Sequence, residues 1–194
     1  MSLFKIVAEY FGGEVKVIAP TRFPDSRGFF AIEYRKDEFR ELGLPTEFVQ
    51  DNFSRSADNV LRGLHFQIQP PMGKLMRVTS GRAWLVTVDL RKGSSTFLNH
   101  TVIEATEGNG LQVWAPANFA RGFYSFEDDT EVRYKCTGFF DKDGDKGIRW
   151  NDPDIGIKWP TDTPYLSDRD RNAPTVEEYF GRGNGGQSDK WDWQ

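Results

Sequence analysis

Cysteine and histidine are both scarce in this chain. Cys136 is the only cysteine in 194 residues, so no internal disulfide can form, which suits a reducing cytosol. His65 and His100 are the only histidines, too few for a multi-histidine metal site, and the lone thiol excludes zinc held by cysteines. No run of about 18 apolar residues is present, so no membrane-spanning helix is expected. The opening stretch, MSLFKIVAEYFGGEV, lacks the basic start and apolar block of a secretory signal, and the expectation is a cytoplasmic protein. Lysine and arginine form no basic stripe. The net charge is -4 and the pI about 5.3, which argues against a nucleic-acid partner but leaves room for a nucleotide held by a few converging cations. A Walker A sequence, a GxGxxG after a strand and a GxSxG elbow are all missing, so phosphoryl transfer, hydride transfer and serine hydrolysis lose their usual signatures.

What is present is aromatic, polar overall and punctuated by turns. Sixteen Phe and six Trp suit a β-rich core or a stacking pocket, while a mean hydropathy of -0.61 fits a soluble chain. The length fits one domain with a single core. Residues 82–90, RAWLVTVDL, are apolar on both alternating faces, as in a strand buried on both sides. Residues 111–115 and 131–137 are also strand-like. In the second, Val132, Tyr134 and Cys136 share one face, so Tyr134 is expected to point inward. Gly81, Lys92-Gly93-Ser94-Ser95, Gly108–Gly110 and Asp141–Gly147 supply turns at the spacing of sandwiches and barrels. Only Lys36–Leu42, with Phe39 and Leu42 three apart before Gly43, reads as helix. Residues 1–180 are expected to form one domain and the Gly-rich 181–194 a flexible tail.

With two histidines, a histidine mechanism has two candidates. His65, in VLRGLHFQIQ, has a glycine two residues before it and Arg62 and Lys74 nearby, whereas His100 lies near a turn. Positions 62 and 65 differ by an odd number, so a regular strand would put Arg62 and His65 on opposite faces. Both reach one pocket only if Gly63 marks a bulge.

Eight stretches in order, SRGFF, EFVQDN, NVLRGLHFQ, GKLMRV, VDLRKGSSTF, YKCT, IRWNDPDIGIKWP and LSDRDRNAP, closely resemble the dTDP-4-dehydrorhamnose 3,5-epimerase family, from about Ala19 to Pro174. The resemblance implies an all-β fold, a cupin-like jelly-roll β-barrel with a few short helices. It also implies a homodimer and a nucleoside-diphosphate 4-keto-6-deoxyhexose substrate, usually carried on dTDP. By the family pattern His65 is the base and Asp170 its carboxylate partner. Tyr134 is the acid on the opposite face of the sugar, and Lys74 lies by the developing enolate oxygen. Arg62 and Arg27 hold substrate, including phosphate, and Gln50, Asp51 and Asn52 match a nucleotide-contacting segment.

The implied chemistry needs neither metal nor redox cofactor. A ketone at C4 acidifies the hydrogens at C3 and C5, because the carbanion delocalises onto oxygen. A base removes a proton from one face and an acid returns one to the other. Histidine suits the task because its reference pKa, about 6.5, lies near working pH. A keto-isomerase moving the carbonyl between C3 and C4, or a non-catalytic sugar-nucleotide binder, are the alternatives.

Several positions depart from the family pattern. Arg121, in FARGF, stands where a histidine is common. It can bind oxygen or phosphate but cannot shuttle protons. Ile32 occupies a position that often carries glutamate. Phe140 replaces the tyrosine thought to stack on the nucleotide base, and Arg169 replaces a lysine beside Asp170. Such changes fit a mono-epimerase acting on a related sugar.

Overall fold

The computed structural model describes residues 2–181, so all of the expected tail except Gly181 lies outside the described residues. In chain order come β1 (Phe4–Tyr10), β2 (Val15–Pro20), β3 (Arg22–Asp25), β4 (Gly28–Ala31), α1 (Lys36–Glu41), β5 (Gln50–Ser56) and β6 (Leu61–Gln67). They are followed by β7 (Lys74–Ser80), β8 (Arg82–Asp89), β9 (His100–Thr106), β10 (Gln112–Ala115), β11 (Phe119–Ser125), β12 (Thr130–Cys136) and β13 (Asp145–Gly147). Two further short helices, α2 (Asp168–Arg171) and α3 (Val176–Phe180), close the described chain. Neither was expected from periodicity, since four or five residues are too few to show a helical stripe.

The strands form two facing antiparallel sheets, a cupin-like jelly roll. One has the order β1-β2-β10-β7-β12-β5, the other β13-β6-β11-β8-β9, and β3-β4 is a separate hairpin. Between the sheets Val17, Met76, Val78, Val113 and Val132 meet Ala83, Leu85, Ala105, Phe119 and Phe123. Burying each large member contributes about 1.5–3 kcal/mol relative to exposure. The two-faced apolar pattern of residues 82–90 now has its reason. Ala83 and Leu85 join this inner core, while Val86 and Val88 pack behind the sheet with Ile148, Ile155, Ile157 and Val176. The chain after β13 thus serves as a second cover, and it carries α2 to the rim of the barrel.

One irregularity shapes the interior. Between β6 and β11, Arg121 pairs with His65 and Phe123 with Arg62, so two residues of β6 stand against Gly122 alone. That is the bulge the odd spacing required. Gly63 sits in it at φ +131°, and a Cβ there would lie 2.6 Å from the Gly122 Cα. Only glycine fits.

Candidate active site

A cavity of about 240 Å³ opens between the two sheets. From the six-stranded sheet, Asn52 and Ser54 of β5, Lys74 and Met76 of β7, and Tyr134 of β12 line it. From the five-stranded sheet come Arg62, His65 and Gln67 of β6 with Arg121 and Phe123 of β11. Phe140, Asp145 and Arg169 complete the rim. The bulge allows Arg62 and His65 to share this space. Tyr134, half-buried against the inner core, faces His65 from the opposing wall.

His65 Nε2 lies 2.5 Å from Asp170 Oδ1, leaving Nδ1 without a hydrogen bond among the described residues. Asp170 is 3% exposed. Ser167 caps α2 by accepting from the Asp170 backbone N–H at 3.1 Å, and its hydroxyl donates to Asp170 Oδ2 at 2.9 Å. Burial alone would raise the Asp170 pKa. The His65 hydrogen bond and charge, the Ser167 hydroxyl and Arg169 more than offset it and hold the carboxyl below its usual range. Asp170 therefore stays ionised and orients the imidazole.

Burial is also the main force on the opposite wall. It raises the Tyr134 phenol above its ordinary value, with Cys136 adding to the rise while Asn52 and Arg62 work against it. The phenol keeps its proton throughout the neutral range and is an acid with a proton to give. Lys74 stands over the Tyr134 ring at 4.9 Å from its centre. Burial, then the charge of Arg121, bring its ammonium down to about 8.

The remaining residues named from sequence fall in different places. Gln50 supports two lining residues, donating to Asn52 Oδ1 at 2.8 Å and accepting from the Phe140 backbone N–H at 2.9 Å. Asp51 points to the other face of the sheet and pairs with Lys135 at 3.0 Å, beside a neighbouring cavity that also takes in Arg77 and Arg133. Arg169 pairs with Asp145 at 2.6 Å, and Phe140 is 57% exposed at the rim. Arg27 does not line this cavity. It stands exposed on the β3–β4 turn, bound to Asp25 at 2.5 Å within the hairpin.

Three supporting residues escaped the sequence reading. Ser167 had a signal, a serine three residues ahead of an acid at a helix start. Gln67 had a weaker one, lying two residues from His65 and so on its face of the strand. It is 2% exposed, donates to the carbonyls of Pro70 and Phe139 and accepts from Asp141 N, and so anchors the loop that carries Phe140. Asp145 had none. Among the described residues no group of three His, Cys, Asp or Glu side chains is placed to hold a metal.

An oriented imidazole on one wall, a protonated phenol on the other and an ammonium beside them define an isomerase that moves protons at carbon next to a carbonyl. The comparisons agree. The sequence profile described as dTDP-4-dehydrorhamnose 3,5-epimerase matches residues 13–178. The chain is 41% identical over 181 residues to the dTDP-4-dehydrorhamnose 3,5-epimerase of Methanothermobacter thermautotrophicus, covering 92% of this chain and 97% of that one. The Bacillus anthracis str. Ames enzyme of the same name, solved with TDP and PPi bound, superposes with a TM-score of 0.87 at 39% identity, covering 89% of this chain and 99% of that one. A dTDP-6-deoxy-D-glucose-3,5-epimerase from Legionella pneumophila Philadelphia 1, in complex with dTDP-4-keto-L-rhamnose, gives 0.85 at 38% identity, with coverage of 89% and 92%. This chain belongs to the dTDP-4-dehydrorhamnose 3,5-epimerase family, and it is an epimerase.

Proposed function

We propose that the chain inverts C3 and C5 of a nucleoside-diphosphate 4-keto-6-deoxyhexose, converting dTDP-4-dehydro-6-deoxy-D-glucose to dTDP-4-dehydro-L-rhamnose. The observation that carries this is the pairing of the His65–Asp170 dyad with Tyr134 across one cavity. His65 takes the proton from the carbon beside the ketone, and the electron pair moves onto the C4 oxygen next to Lys74. Tyr134 then delivers a proton to the other face, which inverts the centre. A carbonyl shift would return the proton to a neighbouring carbon and has no use for an acid on the far wall. Arg62 and Arg169 at the rim suit the diphosphate, because a guanidinium fork matches phosphate oxygens. Phe140, exposed beside them, offers a ring for the base to stack on.

The same reading takes residues 1–180 as one working unit, cytoplasmic, and paired as a homodimer. Phe23, Phe29 and Phe30 on the β3–β4 hairpin, Val49 just before β5 and Phe53 on it are exposed apolar side chains of the kind a second copy would cover. β5 also ends its sheet with one edge unpaired. Arg27 stands on that hairpin and is read as a contact for substrate phosphate.

The test is incubation with dTDP-4-keto-6-deoxyglucose in deuterated water, following label at C3 and C5. Label at both carbons is expected. Label at one carbon selects the mono-epimerase, and none from this or related sugar nucleotides rejects the proposal. Light scattering reads the dimer, which a monomeric mass would refute.

A further inference from the structure

β11 places a buried cation at the cavity, and no acid among the described residues hydrogen-bonds to it. Of the four lysines and arginines lining this space, Arg62 and Arg169 are exposed at the rim, and Lys74 and Arg121 are the least accessible. Arg121 is 2% exposed. Its Nη1 donates to the carbonyls of Ala115 at 3.3 Å and Pro116 at 2.9 Å, which fixes the plane of the guanidinium. Its Nε and Nη2 are buried and have no acceptor among the described residues. In a guanidinium these two nitrogens form the side-on fork, two parallel N–H donors that match a pair of oxygens.

The nearby acids are already engaged. Asp145 binds Arg169, and Asp170 binds His65. Burial depresses the Arg121 guanidinium to about 10, and the Arg121 charge adds to burial in lowering Lys74. A buried guanidinium with unmet donors beside a second cation loses stability that an anion restores.

We propose that Arg121 and Lys74 together form a two-cation anion hole for the enolate. The Arg121 fork donates to the oxygen that gains charge at C4 and to the oxygen on the adjacent carbon. The inference rests on the keto-sugar reading above and names its substrate class more closely, an α-hydroxy ketone presenting two neighbouring oxygens. The histidine common at this position offers one donor on each ring edge and titrates near neutrality. Arginine offers two parallel donors and keeps its charge.

Three variants separate charge from fork: Arg121→Gln, Arg121→Lys and Arg121→His. For Arg121→Gln the deuterium-exchange kcat is expected to fall about 10²–10³-fold, the range for loss of one oxyanion donor, with KM within about threefold. The affinity for dTDP alone is expected to stay unchanged. The alkaline limb of the pH profile moves upward in Arg121→Gln, because Lys74 no longer feels a neighbouring cation, and stays in place in Arg121→Lys. A rate within about threefold of the parent, an unmoved limb, or parallel loss of dTDP affinity overturns the inference. An arm without substrate distinguishes its failure from that of the epimerase reading. Oxalate, a planar dianion with adjacent oxygens, should raise the melting temperature of the parent at constant ionic strength and not that of Arg121→Gln. Equal shifts in both proteins would remove the anion hole even if the exchange assay were silent.

Discussion

Gly63→Ala is the most demanding test of how the fold builds this site. At φ +131° an alanine occupies backbone space that L-residues avoid, which costs on the order of 1–3 kcal/mol. Its Cβ would also stand 2.6 Å from the Gly122 Cα and 3.0 Å from the Arg121 carbonyl oxygen, both backbone atoms that cannot rotate aside. Overpacking of that kind adds about 1–3 kcal/mol. The total, about 2–6 kcal/mol, is a large share of the roughly 5–15 kcal/mol that stabilises a domain. For a chain of this size it lowers the melting temperature on the order of 10 °C. Gly28→Ala is the control. Gly28 has a similar φ, +137°, with nothing within 4 Å of a Cβ, so it isolates the backbone term. Melting curves and deuterium exchange on both variants decide the matter. Relief of the clash must prise β6 from β11 and separate Arg62 from His65, so exchange falls even where the protein stays folded. If Gly63→Ala melts no lower than Gly28→Ala and exchanges normally, the bulge does not hold the site together.

Asp170→Asn keeps the shape of the dyad and reverses its hydrogen bond. The amide donates to His65 Nε2, the ring proton moves to Nδ1, and exchange at neutral pH drops about 10²–10⁴-fold. An intact rate in a folded variant would show that Asp170 does not orient the base. Because the Asp170 pKa is lowered on folding, its contribution to stability is present above the unfolded carboxylate value and disappears as pH falls through the folded one. The variant should therefore lose less stability than the parent on acidification below about pH 4, read by melting temperature across that range. Tyr134→Phe leaves the cavity shape alone and removes the proton donor, so inverted product, followed by NMR, should fall about 10²–10⁴-fold. Lys74→Met should be inactive yet more heat-stable. A lysine brought down to about 8 weakens the fold while charged, so the gain, on the order of 1–3 kcal/mol at pH 7, shrinks as pH rises above 8 and vanishes above the unfolded value near 10.4. A melting temperature unchanged from the parent at pH 7 would contradict that electrostatic account.

Much of the fold was legible because burial writes period-two patterns. The two-faced apolar run at 82–90 and the Tyr134 face of β12 came directly from alternation, and α1 from its Phe39 and Leu42 spacing. The helices at Asp168–Arg171 and Val176–Phe180 were not legible, being too short for periodicity and defined instead by the Ser167 and Thr175 caps. The site divides along similar lines. The Gly63 bulge followed from the odd spacing of Arg62 and His65 once both were taken to reach one pocket. The pairing of Asp170 with His65 joins residues 105 apart in sequence, and no local signal announces such a contact. Asp51 faces the neighbouring cavity and not that of His65, because successive residues on a strand point opposite ways and a motif does not show which. The place of Arg27, exposed on the β3–β4 turn, was not legible either, since its motif says nothing about which surface the hairpin faces.

Acid and base belong to different sheets, and this has a consequence for how such a catalyst is tuned. Facing sheets pack about 10 Å apart, a distance set by the girth of the side chains wedged between them. Val78, Leu85, Val113 and Phe123 therefore act as spacers for the two proton-handling groups, although all are hydrocarbon. A methylene added or removed among them shifts the reach from imidazole or phenol to the sugar ring. Selection on proton transfer can thus operate through residues that never meet the substrate.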